Sequence, residues 1–357
     1  MISCTTGARV AVYDPLPSPA AVLEELPLAA GLAARVGRAR AEVRAVLDGI
    51  DDRLLVVAGP CSVHDPAAAL EYAGLLAWSG LDQDLLIVMR CYCEKPRTVT
   101  GWTGLIHDPG MDGRHDVPRG LRTARRLLLD IVALGVPVSC EWLDPVTPRY
   151  LADVVTWGAV GARTAESQVH RQLVSGLAMP AGFKNGTDGD VQVAVDACMA
   201  AAAGHTFFGL TPAGEAAAVT TFGNSDTHVI LRGGGRAGPN YEAPYVAKAL
   251  DLITAAGLPR RLVVDASHGN SGRDHRRQPR VAAAVADQVA AGERGIAGIM
   301  LESFLCEGRQ EPGPLGTLAY GLSVTDACMD FSATAAVLDT LAAAVRARRQ
   351  AAAGGAR

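Results

Sequence analysis

Short apolar runs alternate along this chain with segments of helical periodicity. The runs are Leu54–Cys61, Leu85–Tyr92, Pro137–Leu143, Val160–Arg163, Pro180–Lys184, His228–Gly233, Arg261–Ser267 and Gly298–Ser303. Most hold apolar residues at consecutive positions, as strands do when both faces of a parallel sheet are covered. Pro66–Trp78, Gly120–Leu134, Pro148–Trp157, Ser167–Leu177, Val191–Ala203, Ala243–Ala256 and Pro279–Ala291 lie between them at helical spacing, and Ala333–Arg348 closes the series. Eight strand–helix units joined by right-handed crossovers predict an α/β fold, a closed (β/α)8 TIM barrel rather than an open doubly wound sheet.

The flanks read differently. Residues 1–30 are proline-bearing and read as irregular, and Leu32–Gly49 reads as an amphipathic helix. Phe208–Thr227 is long for a connection and contains β-prone Ala217–Thr221 beside Gly223-Asn224, which predicts an inserted β-hairpin before strand 6. The expected organisation is an N-terminal extension and helix over 1–49 making oligomer or regulatory contacts, a catalytic barrel over 50–350, and a frayed tail over 351–357.

Composition narrows the class. At 49% hydrophobic and 20% charged, the chain has material for a large core and is not mainly disordered. A net charge of −4 gives no reason to expect a nucleic-acid or membrane-surface partner. No apolar run approaches the ~18 residues of a membrane span, and Met1–Asp14 lacks the pattern of a secretory signal. Eight cysteines in 357 residues are too dilute for a disulfide scaffold, so reduced thiols and a cytoplasmic setting are expected. Of 33 basic residues only Lys95, Lys184 and Lys248 are lysine. A GC-rich genome accounts for the bias and leaves open why these three persist.

In a barrel, chemistry sits where strands run into the loops that follow them. Those positions hold Cys61, Arg90 (with Lys95 and Arg97 beyond it), Glu141, Arg163, Lys184, Arg232, Asp265, His268 and Glu302, and a later loop adds Asp326. Arg90, Lys95, Arg97, Arg163, Lys184 and Arg232 form a cationic group that calls for an anionic ligand, with two phosphates or a phosphate and a carboxylate fitting best. Cys61, His268, Glu302 and Asp326 form a mixed S/N/O donor set suited to a divalent metal such as Mn, Fe, Co or Zn. Gly233-Gly234-Gly235 reads as a flexible loop, because no suitable helix follows it. A Lewis acid beside phosphate-binding cations points to aldol-type bond formation or isomerisation on sugar phosphates.

Several motifs then occur in order: Val57–Pro66, Arg90 with Glu94-Lys95-Pro96-Arg97-Thr98 and Gly101-Trp102, Gly161–Thr164, Gly182–Gly189, Ile230–Gly234, Ser267–Ser271 and Ser323–Cys328. Over roughly residues 20–348 the chain resembles the type I 3-deoxy-D-arabino-heptulosonate 7-phosphate (DAHP) synthases, in their bacterial–fungal, feedback-regulated branch. The resemblance implies condensation of phosphoenolpyruvate with D-erythrose 4-phosphate, the entry step of the shikimate pathway, in a homo-dimer or homo-tetramer. It implies that Cys61, His268, Glu302 and Asp326 hold the metal. Arg90, Lys95, Arg163, Lys184 and Arg232, with the backbone of Gly161 and Ala162, would bind phosphoenolpyruvate, and Pro96, Arg97 and Thr98 would lie on the erythrose 4-phosphate side. Lys95 and Glu141 are candidates for proton handling, beside Cys61 and His268 as catalytic groups. Two other readings share the motifs: the same chemistry on another aldose phosphate in a specialised pathway, and a catalytically silent regulatory paralogue. Phe304 and Ala178 stand where relatives often carry polar residues. Phe304 is expected at a drier pocket edge, and Ala178 to weaken inhibition by aromatic amino acids.

Overall fold

The computed structural model describes residue 9 and residues 11–354; Cys4 and most of Met1–Asp14 lie outside the described residues. Eight parallel strands close into a barrel: β1 (Leu54–Gly59), β2 (Leu85–Arg90), β3 (Val138–Glu141), β4 (Trp157–Val160), β5 (Ala181–Lys184), then β8 (Thr227–Leu231), β9 (Leu262–Asp265) and β10 (Ile296–Glu302). The last strand pairs with the first, Glu302 opposite Gly59. The strand intervals hold α3 (Pro66–Ala77), α4 (Val117–Ala133), α5 (Pro148–Leu151), α6 (Gln168–Ser175), α7 (Gln192–Ala202), α8 (Ala243–Ala255) and α9 (Gln278–Ala290), and α10 (Phe331–Gly354) follows β10. Local chemistry starts several of them. Asp65 accepts from the amides of Ala67 (2.9 Å) and Ala68 (3.3 Å) with Pro66 next in line, and Asp116 accepts from Arg119 N (3.1 Å).

Strand parity divides the core. Leu54, Val56 and Ala58 of β1 face the helices, and Leu55 and Val57 face the barrel interior. Inside, they meet Trp157, Ile230, Val263, Met300 and Tyr92. The N-terminal helix α2 (Ala30–Leu47) closes the bottom with Val43, Val46 and Leu47. Arg40 fixes its tilt by donating to the carbonyls of Ala152 (2.6 Å) and Val155 (2.7 Å). The barrel is thus plugged below, and only its upper rim is open for chemistry.

Three expectations change, and one insertion is confirmed. Strand β4 begins at Trp157, not Val160, and α5 ends at Leu151, because Trp157 turns inward and donates to His228 Nε2 (3.2 Å) in the interior core. Residues 161–163 are therefore loop. The inserted hairpin is present as expected, β6 (Thr206–Leu210) paired antiparallel with β7 (Ala216–Thr220), and it begins two residues before the predicted stretch. The stretch 1–30 contains a helix, α1 (Pro19–Glu25), started by Ser18 accepting from Ala21 N at 3.2 Å. The helix α10 runs past Arg348 to Gly354, so 351–354 of the expected frayed tail is helical. Ala178 is exposed just before β5, at the end of the barrel away from the rim.

Candidate active site

A cleft of about 400 Å3 opens at the upper rim. Its walls bring together Arg90, Lys95, Pro96, Arg97, Thr98, Glu141, Gly161, Ala162, Arg163, Lys184, Arg232, His268, Glu302 and Asp326. Fourteen of the fifteen residues given a site role from the sequence thus line one cavity, and the fifteenth, Cys61, lies buried beneath it against Lys95 and Asp326.

The donor set is compact. One ligand atom each from Cys61, Glu302 and Asp326 falls within 4.8 Å of the others. His268 is next to them, with Nε2 3.8 Å from Glu302 Oε1. Its other ring nitrogen is committed: Nδ1 lies 3.0 Å from Asp265 Oδ2 and 2.6 Å from Ser267 Oγ. Metal-binding histidines are held in this way, with Nε2 left facing the ion. His268 also adopts φ 54°, the left-handed region, stabilised where Arg273 N donates to His268 O at 2.7 Å. Glu302 is fixed through its backbone by Gln278, which accepts from Glu302 N (2.8 Å) and donates to Glu302 O (2.9 Å). Thiol, imidazole and two carboxylates at this spacing fit a divalent transition metal.

The ionisation of these groups follows from their neighbours. Burial pushes the Cys61 thiol up to about 12, with Glu302 adding to the effect and Lys95 opposing it. As a neutral thiol it donates to Asp326 Oδ2 (3.3 Å) while accepting from Lys95 Nζ (2.7 Å). Burial works against the Asp326 carboxylate too, but Lys95 and His268 hold it well below the usual carboxylate range. A divalent cation deprotonates a coordinating thiol outright.

The cations divide into two sets. Arg90, Lys95 and Lys184 already face carboxylates: Glu302 at 3.1 Å, Asp326 at 3.1 Å and Asp265 at 2.9 Å. Arg90 is the most constrained. Its Nε donates to Pro60 O (3.1 Å), and its guanidinium carbon lies 3.6 Å from the centre of the Tyr92 ring. Arg97, Arg163 and Arg232 face no carboxylate at ion-pair distance among the described residues. Arg163 donates to Thr98 Oγ1 (3.0 Å) and Arg232 to Gly233 O (3.2 Å). The reading of six unpaired cations is corrected to three paired and three open, and the open three supply the field for an incoming anion.

Three features were missed from the sequence. Asp265 was noted at a strand end without a role, yet it is fully buried between Lys184, Ser267 and His268. An asparagine network ties three loops together. Asn185 Oδ1 accepts from Arg232 N (2.7 Å), Asn240 Oδ1 from Gly233 N (2.8 Å), and Asn270 Oδ1 from Asn240 N (2.8 Å). Asn185 and Asn270 stand one and two residues past a site residue, which was the available signal. Glu141 passes so close to Gly161 that a side chain at 161 would overlap its carboxylate oxygen. Phe304 is a correction: it is fully buried, 6.0 Å from the His64 ring and 6.2 Å from Tyr72, and is not at the pocket edge.

A closed barrel whose rim joins a transition-metal donor set to open arginines defines an enzyme acting on phosphorylated, anionic substrates. Residues 33–339 match the family model described as the DAHP synthetase I family. Phospho-2-dehydro-3-deoxyheptonate aldolase of Corynebacterium glutamicum is 51% identical, covering 98% of this chain and 96% of the relative. The Phe-sensitive enzyme of that name from Escherichia coli K12 is 52% identical, covering 96% and 97%. The phospho-2-dehydro-3-deoxyheptonate aldolase of Francisella tularensis SCHU S4 superposes with a TM-score of 0.93 at 44% identity, covering 95% of this chain and 99% of the other. The chain belongs to the DAHP synthetase I family, transferases that carry out the first step of the shikimate pathway. Among the described residues no helix is long and apolar enough to cross a membrane.

Proposed function

We propose that the rim cleft condenses phosphoenolpyruvate with D-erythrose 4-phosphate through the residues assembled there. The observation that carries the assignment is the single cleft shared by the donor cluster and the open cations. Lys184, Arg232 and Arg163, with the backbone of Gly161 and Ala162, bind the carboxylate and phosphate of phosphoenolpyruvate, and Arg90 presents a fixed charge between that subsite and Glu302. Pro96, Arg97 and Thr98 shape the side that receives the aldose phosphate.

C3 of phosphoenolpyruvate attacks the aldehyde carbon, forming the new carbon–carbon bond. Water adds at C2, and the C2–O bond to phosphate then breaks. Glu141 takes the proton from that water, and Lys95 delivers a proton to the oxygen that was the aldehyde. Bound by Cys61, His268, Glu302 and Asp326, a divalent metal (Mn, Fe, Co or Zn) would supply Lewis-acid polarisation of that oxygen. The preorganised pairs Arg90–Glu302 and Lys184–Asp265 hold the charges still while the reaction proceeds.

The test is consumption of phosphoenolpyruvate with erythrose 4-phosphate, before and after a chelator and with metal added back. Turnover that survives exhaustive chelation sinks the metal assignment. A panel of four- and five-carbon aldose phosphates checks the partner. The enzyme is read as a cytoplasmic dimer or tetramer, in keeping with the free thiols of the described cysteines. Ala178 supports weakened feedback, so phenylalanine, tyrosine and tryptophan are expected to leave activity largely intact. Strong inhibition by any one of them refutes this.

A further inference from the structure

Asp265 sits at the end of β9, fully buried, and a single oxygen of its carboxylate serves two masters. Oδ2 accepts from Lys184 Nζ at 2.9 Å and lies 3.0 Å from His268 Nδ1. Oδ1 is occupied by Ser267, whose amide donates at 3.0 Å and whose hydroxyl donates at 2.6 Å. The same hydroxyl lies 2.6 Å from His268 Nδ1. The carboxylate cannot rotate away, because both oxygens are engaged and its backbone oxygen accepts from Asn270 Nδ2 (2.8 Å). Lys184 belongs to the anion subsite and His268 to the donor set, so one oxygen joins the two.

We propose that Asp265 is a positioning residue that couples anion binding at Lys184 to metal binding at His268. This rests on the site reading given above. The coupling follows from competition for Oδ2. An anion on Lys184 draws part of the ammonium's charge and hydrogen-bonding capacity away from Asp265. The carboxylate then acts more fully on His268 Nδ1–H, which strengthens Nε2 as a donor. By linkage the effect is reciprocal: a cation on Nε2 polarises Nδ1–H toward Asp265 and frees Lys184 for the anion.

The experiment measures Mn2+ affinity by titration of the purified chain, with and without phosphoenolpyruvate, in wild type, Asp265→Asn and Cys61→Ser. The expected result for wild type is tightening of Mn2+ binding by phosphoenolpyruvate of at least about fivefold. Asp265→Asn is expected to weaken Mn2+ binding about 10- to 100-fold and to reduce the phosphoenolpyruvate effect to less than twofold. Retention of both the wild-type affinity and the wild-type tightening in Asp265→Asn overturns the proposal. Should Asp265→Asn fail to fold, Lys184→Met at saturating phosphoenolpyruvate takes its place. Tightening that vanishes there supports the coupling, and tightening that persists overturns it. The underlying site reading fails separately, if wild type binds no Mn2+ or Cys61→Ser binds it as wild type does.

Discussion

Lys95 Nζ lies 2.7 Å from Cys61 Sγ, and the same ammonium reaches Asp326 Oδ2 at 3.1 Å. A cation is therefore already seated between two of the four proposed metal donors. Burial disfavours it, but Cys61, Asp326 and Glu302 together raise the Lys95 pKa above its ordinary value. A divalent ion entering the cluster competes with this charge.

Lys95→Met separates metal binding from turnover. With the competing ammonium gone, Mn2+ affinity is expected to stay equal or to tighten, while kcat falls at least about a hundredfold. Equilibrium titration and steady-state kinetics on the same preparation check it. A variant that loses metal along with activity contradicts the proton-handling role.

Cys61→Ser removes the soft donor and leaves the carboxylates. Mn2+ affinity is expected to drop at least about tenfold, with activity below about 1% of wild type. Bound metal counted after gel filtration, beside a rate assay, decides this.

Gly161→Ala places a methyl group against the Glu141 carboxylate. The side chain must swing out of the cleft, so kcat/KM is expected to fall at least about tenfold while Tm moves by only a few degrees. Unchanged kinetics would show that the Glu141 position does not matter.

Phe304→Leu tests the corrected placement. A ring packed against His64 and Tyr72 contributes to stability and not to specificity. A loss of about 1–1.5 kcal/mol is expected, with KM for both substrates unchanged. A shift in substrate preference would return Phe304 to the pocket.

Acid sensitivity should trace to His228. Burial, with nearby Arg261 adding to it, lowers this imidazole to about 3 from 6.5. Between those values the unfolded chain binds a proton that the folded chain does not. Stability therefore falls as pH drops through that window, by about 1.4 kcal/mol per unit. Protonation would also cost the bond from Trp157 Nε1. Between pH 6.5 and 5 the unfolding free energy from urea titration should fall by about 1.6 kcal/mol more in wild type than in His228→Gln. Parallel midpoints for the two proteins at both values remove His228 as the cause.

The barrel and the rim chemistry were legible because strands buried on both faces and charged strand ends are local patterns. What escaped depended on side-chain direction. Trp157 ends a helix-like stretch but turns inward as the first residue of β4, which moved residues 161–163 into a loop. Phe304 follows Glu302 by two positions, and the chain leaves the strand there, so it packs under α3 against Tyr72. Asp265 was visible as a strand-end acid three residues before His268, yet its other partner, Lys184, lies 81 residues away in the chain, and no local motif joins the two. Arg90, Lys95 and Lys184 looked like free charges because their carboxylates are also distant in sequence.

Barrel closure sets an order of events during synthesis. Cys61 follows the first strand, Glu302 ends the last, and Asp326 comes later still, 265 residues after Cys61. A growing chain therefore carries Cys61 without its carboxylate neighbours for most of its elongation and gains them only near completion. On the proposed ligand set, a metal centre cannot assemble on a partial product, and a metal ion held by all four groups would certify that the barrel has closed.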